Sequence, residues 1–138
     1  MIVLDTNVAS EMMKSSPEPR VLDWLNGQTA SQVFITATSK AEIFYGIDRL
    51  PAGRKRDLLR RAANDMFEQQ FPERVLPFDE IAAEVFAVIA ADRERRGRPM
   101  AQFDAQIAAI ARVQGAAIAT RDVRDFSNCG IELIDPWA

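Results

Sequence analysis

Two short apolar runs in this sequence end on acids. "MIVLDTNV" places Asp5 directly after Ile2 to Leu4, and "AAIATRDVRDF" places Thr120, Arg121 and Asp122 after a second run. Two more acids, Glu42 and Asp104, border the apolar sides of segments with helical spacing. Carboxylates gathered at one place repel one another unless a divalent cation neutralises them. Such a cluster suits metal-assisted phosphodiester chemistry, in which the ion acidifies bound water and steadies the phosphoryl oxygens. The chain has no histidine and a single cysteine, Cys129. That excludes internal disulfides, zinc sites of the Cys/His kind, and Ser-His-Asp or Cys-His catalysis. Oxygen ligands remain, and they point to magnesium or manganese. Cys129 reads as a packing residue.

Each acid also has a structural explanation. Asp5 can cap a helix starting at Thr6 or Asn7. Glu42 completes a capping box in "SKAE", reaching back to the Ser39 amide; against this, Gly46 one turn on removes a side chain and leaves room beside the carboxylate. Asp104 shares a helical face with Ile107, Ala108 and Ala111, where a charge at the margin of the core needs partners or a cation, unless it serves as an N-terminal cap. Asp122 can belong to a turn, with Asp125 as a second candidate for its role. These readings explain the acids singly but do not predict that they gather.

The elements that would position them alternate. "IVLD" reads as a buried strand, followed by helices over Thr6 to Met13 and Glu18 to Asn26. "VFIT" is a strand, and Ser39 caps a helix carrying Ile43, Phe44, Ile47 and Leu50, which "PAG" ends. A basic amphipathic helix runs from Arg54 to about Phe71, then "RVLPF" is briefly extended. Asp79 caps a helix to Arg96, stopped by Gly97 and Pro99. A helix over about Gln102 to Gln114, the strand "AAIAT", a turn over Asp122 to Asp125 and the strand "IELI" complete the chain. Four strands alternating with helices predict an α/β sandwich with a mainly parallel sheet. The ligand crevice of such a sheet lies beyond its carboxyl ends, where Asp5 and Asp122 fall.

At 138 residues the chain fits one domain. With 48% apolar and 27% charged residues it has the composition of a folded protein rather than a disordered one. The longest apolar stretch, Ile81 to Ala91, is interrupted by Glu84 and falls short of the ~18 residues of a membrane span. No basic region precedes the first apolar run, as a secretory signal would require. A cytoplasmic protein without a membrane partner is expected. The net charge of -3 supplies no general attraction for nucleic acid. Two basic groups qualify this: "RLPAGRKRDLLRR" at Arg49 to Arg61, and Arg93, Arg95, Arg96 and Arg98. Each alone reads as a solvated helical face, and together they leave a backbone-tracking groove open.

The blocks "LDTNV", "AEI" followed by Gly46, "DAQIAAIA", "ATRDVRDF" and "DPW" resemble, in this order and over essentially the whole chain, those of the PIN-domain ribonucleases, in particular the VapC and FitB-like toxins of toxin-antitoxin pairs. The resemblance implies a single three-layer α/β/α PIN-like domain over residues 1–138. It further implies an Mg2+- or Mn2+-dependent endoribonuclease in which Asp5, Glu42, Asp104 and Asp122 hold the metal. Thr120 matches the hydroxyl residue beside that quartet, and Asn7 a polar position near it. Family members place the last acid at the position of Asp122 or of Asp125; Asp122 is preferred here because it lies nearer the strand end. Water is the implied nucleophile, leaving a 5'-phosphate and a 3'-hydroxyl. Apart from the resemblance, arginines near such a pocket, Arg121 or members of the Arg54 to Arg61 group, are expected to hold flanking phosphates of the RNA. The implied partner is a cognate antitoxin that blocks the pocket and supplies DNA binding, so that DNA is contacted only indirectly. A homodimer is implied too, for which Phe44 and Tyr45 could be spared.

Three other readings compete. An aspartyl phosphotransferase of the haloacid dehalogenase type wants a second Asp where this chain has Asn7. A phospho-receiver domain wants its acceptor Asp after a central strand, and "VFIT" offers none. A non-catalytic PIN-like module, binding an antitoxin or nucleic acid with acids that are only structural, is the alternative outside the enzymes.

Overall fold

Strands as short as these cannot hold a sheet by pairing alone and need burial on both faces. The computed structural model describes residues 1–138 and meets that need with helices on both sides. The elements are β1 (Ile2–Leu4), α1 (Thr6–Met12), α2 (Pro19–Asn26), β2 (Val33–Thr36), α3 (Ala37–Asp48), α4 (Arg54–Gln70), β3 (Val75–Leu76), α5 (Glu80–Arg95), α6 (Gln102–Gln114), β4 (Ala117–Ala119) and β5 (Leu133–Ile134). Successive strand residues point to opposite faces. Leu4, Val33, Ile35 and Ala119 join Val8, Val21, Ile43 and Phe67 from α1 to α4 on one face. Val3 and Ile118 join Ile89, Ile107 and Ala108 from α5 and α6 on the other. This is the three-layer arrangement, and no helix is long and apolar enough to cross a membrane.

The sheet order is β3-β2-β1-β4-β5, and every pairing is parallel. The segment read only as briefly extended, "RVLPF", supplies β3 at one edge. The centre of the sheet is β1, not the "VFIT" strand, which corrects the ground given against a receiver domain. The order itself now excludes that topology, because receiver sheets run 2-1-3-4-5. Strand order reverses between β1 and β4, where Leu4 pairs with Ala119. A ligand crevice belongs at this switch point.

One helix start differs from the expected one. β2 ends at Thr36 and α3 begins at Ala37, with no loop between them. Thr36 is the cap: its Oγ1 accepts the Ser39 amide at 3.0 Å. Ser39 is therefore already inside the helix and wholly buried, so the capping box with Glu42 does not form. The other expected caps do. Asp5 Oδ1 accepts the Thr6 amide at 2.8 Å and Asp79 Oδ1 the Ala82 amide at 2.9 Å. α6 starts from Ala101 without a side-chain cap, so Asp104 caps nothing. Phe44 is partly buried, its ring stacked on Phe67 against the core layer, whereas Tyr45 is 60% exposed.

In the second basic group Arg95, Arg96 and Arg98 are exposed as a solvated face would be, but Arg93 turns inward. Arg93 is 4% exposed, and its guanidinium donates to the carbonyls of Arg98, Asp125 and Ser127 at 2.7, 3.0 and 2.9 Å. Gly97, at φ +73°, closes α5 in a Schellman turn in which the Arg98 amide returns to the Arg93 carbonyl. Arg93 thus ties the segment leading into α6 to the turn after β4. The basic groups on α4 and α5 also lie in different helical layers, which separates them by the thickness of the sheet. Arg93→Met keeps much of the stem but none of the donors, and hydrogen bonds from a charged donor are worth about 1.5–3 kcal/mol each. Urea unfolding of that variant should show a loss of about 3 kcal/mol or more. A loss below about 1 kcal/mol would mean that water replaces the guanidinium.

Candidate active site

The switch point fixes Asp5. Its amide continues the sheet by donating to the Ala119 carbonyl at 2.9 Å, and its side chain is 4% exposed. One carboxylate oxygen accepts the Thr6 amide, and the other accepts the Thr120 hydroxyl at 2.7 Å. Burial pushes the Asp5 carboxyl up from 3.8 to about 6; the Thr120 and Thr6 hydrogen bonds oppose this, and the charges of Glu42 and Asp122 add to it.

Glu42 arrives from α3. With Thr36 as the cap, its carboxylate is free to face α1, where the Thr6 hydroxyl lies 2.7 Å from Oε1. Ser39 Oγ lies 2.9 Å from the same hydroxyl. A hydroxyl has one proton, so Thr6 gives its own to the carboxylate and accepts that of Ser39. Thr6 therefore holds two acids, Asp5 through its amide and Glu42 through its hydroxyl. Sequence reasoning treated Thr6 only as a helix start; a hydroxyl residue directly after a strand-terminal Asp was the available signal.

Asp104 sits in the first turn of α6. Four buried alanines, Ala105, Ala108, Ala109 and Ala111, let this helix approach closely, and the Thr38 hydroxyl donates to Gln106 Oε1 at 3.0 Å, joining α6 to α3. The Asp104 carboxyl is pushed up from 3.8 to about 7, chiefly by burial, then by the charges of Asp5, Glu42, Asp125 and Asp122, with no hydrogen bond opposing them.

The two late acids divide the last position between them. Asp122 lines the cleft; its amide donates to Thr120 Oγ1 at 2.9 Å, and Oδ2 accepts from Asn7 Nδ2 at 3.1 Å. Asp125 does not line the cleft, yet its charge acts on Asp104 more strongly than that of Asp122. Thr120 is wholly buried and donates to one acid while accepting from the next.

Asp5, Glu42, Asp104, Asp122, Asn7 and Thr6 line one open cleft of about 400 Å3. Beside it Gly46 leaves open space, within a hollow of about 330 Å3 that Thr6 and Glu42 share. No residue of the Arg54 to Arg61 group lines the cleft, whereas Arg121 does. No three acids close on a common point tightly enough to enclose a metal ion by themselves. The donor set still fits a hard cation: the acids offer only carboxylate oxygens, and Asp104 has no competing hydrogen-bond donor. Magnesium in particular keeps several waters and takes few protein ligands.

Over its whole length the chain is similar to known proteins. The PIN domain family matches residues 2–131. The VapC ribonuclease Y4jK of Sinorhizobium fredii is 36% identical, covering 99% of this chain and 98% of the relative. The toxin FitB of Neisseria gonorrhoeae is 34% identical, covering 99% of each. The solved structure of FitAB bound to an IR36 DNA fragment superposes with a TM-score of 0.90 at 34% identity, covering 100% of this chain and 96% of that one. The chain belongs to the PIN-domain family.

Proposed function

We propose that this chain is the toxin of a toxin-antitoxin pair and a divalent-metal-dependent endoribonuclease that hydrolyses RNA phosphodiester bonds. The observation that carries the reading is that acids from the end of β1, α3, α6 and the turn after β4 line one cleft, where burial and neighbouring acids, Glu42 and Asp122 for Asp5 and chiefly Asp5 for Asp104, raise the carboxyls of Asp5 and Asp104. The likeness to a VapC ribonuclease and to FitB supports the activity and the toxin role. The likeness to a FitAB complex on DNA supports a small cognate antitoxin as partner, with DNA contacted through it. A homodimer is part of the same proposal.

Asp5, Glu42, Asp104 and Asp122 would hold Mg2+ or Mn2+, directly or through water. When bound, the ion supplies an acidified water and charge stabilisation for the phosphoryl oxygens. The chain's own work is orientation. Thr6 and Thr120 fix both oxygens of Asp5, Thr6 aims Glu42, and Asn7 with Thr120 holds Asp122. Asp104, free of hydrogen-bond donors, remains available to a cation or to the proton of an attacking water.

Calorimetry with Mn2+ tests the reading without knowledge of the RNA target. Wild type should bind, and Asp5→Asn and Asp104→Asn should each weaken binding at least tenfold. Undetectable binding by wild type would favour the non-catalytic module. Ligating carboxylates must shed their protons, so affinity should rise with pH and level off above the Asp104 value of about 7. Proton release should show as a dependence of the heat on buffer below that pH.

Stability in chelator gives a second test. The folded chain keeps a proton on Asp104 up to about pH 7, whereas the ordinary value is 3.8. The folded state then binds more protons in that window, so stability falls as pH rises from about 4 to about 7. Asp104→Asn should remove its share of this fall, leaving the part below about pH 6 that belongs to Asp5. Partial exposure screens the charge, and a gain of about 3 °C or more in Tm at pH 8, shrinking toward pH 4, is expected. A lower Tm at pH 8 would mark Asp104 as a structural acid.

A further inference from the structure

Arg121 and Trp137 line the acid cleft, yet neither has a part in holding the acids. A guanidinium beside several carboxylates would ordinarily pair with one, and Arg121 forms no ion pair. Glu11 feels its charge, but the Glu11 carboxylate is already taken by Lys14 Nζ at 2.6 Å and by the Glu18 amide at 3.3 Å. Asp122 is held by Asn7. Arg121 instead lies against an aromatic face, with Cζ 5.2 Å from the centroid of the Trp137 ring.

That ring is itself held in place. Trp137 packs against the core layer of α1 to α4, its amide donates to Asp135 Oδ1 at 2.9 Å, and its carbonyl accepts from Arg20 Nη1 at 3.2 Å. The backbone of Arg121 is tied at the other end, where its amide donates to Asn7 Oδ1 at 3.4 Å. The result is a cation fixed at the lip of an acidic cleft with its in-plane donors uncommitted. A group so placed neither cancels the acids nor loses much freedom when an anion arrives.

We propose that Arg121, positioned by Trp137, receives a phosphate flanking the one that is cut, making the pair a backbone subsite for single-stranded RNA. This rests on the nuclease reading above. RNA is favoured over an acidic protein segment because the subsite is continuous with the cleft that would hold the scissile phosphate, and a guanidinium matches phosphate oxygens in a bidentate fork. Arg121 is then a binding residue and Trp137 a positioning residue.

The test uses a fluorescein-labelled, mixed-sequence single-stranded RNA, with Ca2+ in place of Mg2+, and follows anisotropy as NaCl is raised. Each phosphate neutralised on a single strand contributes about 0.7 to the slope of log K against log salt. Arg121→Met should lower that slope by about 0.7 and weaken binding. Trp137→Leu should do the same, while Trp137→Phe, which keeps an aromatic face, should retain most of the slope; a change in fold stability alone would not alter the count of phosphates. An unchanged slope in Arg121→Met would overturn the proposal and leave the pair to an acidic partner segment. A reduced slope in Arg121→Met with none in a folded Trp137→Leu would overturn the positioning role. Failure of wild type to bind RNA at all would overturn the nuclease reading, and the subsite with it.

Discussion

Like charges held together at the margin of the core are the constraint on which this structure turns. Left to relax, the acids would separate or pair with cations. They cannot separate, because Asp5 directly follows β1, Glu42 rides on α3, Asp104 sits in the first turn of α6 and Asp122 follows β4. Nor are they paired. Thr6 and Thr120 give them hydrogen bonds without charge, whereas Lys or Arg in those places would cancel the negative field. The cations nearby are engaged elsewhere: Lys14 with Glu11, Arg93 with backbone carbonyls, Arg121 with the Trp137 ring.

The sheet makes this possible at small expense of sequence. Strands of two to four residues reach stability because helices cover both faces, and only the carboxyl edge at the switch point is left for chemistry. Alanines on α6 bring Asp104 close to the sheet, and the Thr38 to Gln106 bond keeps α3 and α6 from parting at that edge.

Much of this is legible in the order of residues. Apolar runs that end on acids, with no histidine to offer another chemistry, are enough to put Asp5 and Asp122 at a sheet edge. What is not legible escapes for local reasons. Thr36 and Ser39 are both able caps three residues apart, and only the end of β2 decides between them. Arg93 has the composition of a surface residue, and nothing in a run of arginines marks the one that turns inward. Thr6 finds Glu42 36 residues away, a pairing that exists only once β1 and β2 lie side by side. Of the two late acids only Asp122 lines the cleft, and a turn sequence that holds both does not say which.

The direct passage from β2 into α3 limits how this chain can change over evolutionary time. A helix advances about 100° per residue, so one residue gained or lost between Thr36 and Glu42 would swing the carboxylate about a quarter of a turn away from Thr6. No loop lies between strand and helix to absorb the change. Insertions or deletions along that stretch would break the placement of Glu42. A change in length would be absorbed at less cost in a segment that carries no part of the cleft, such as residues 49–53 between α3 and α4.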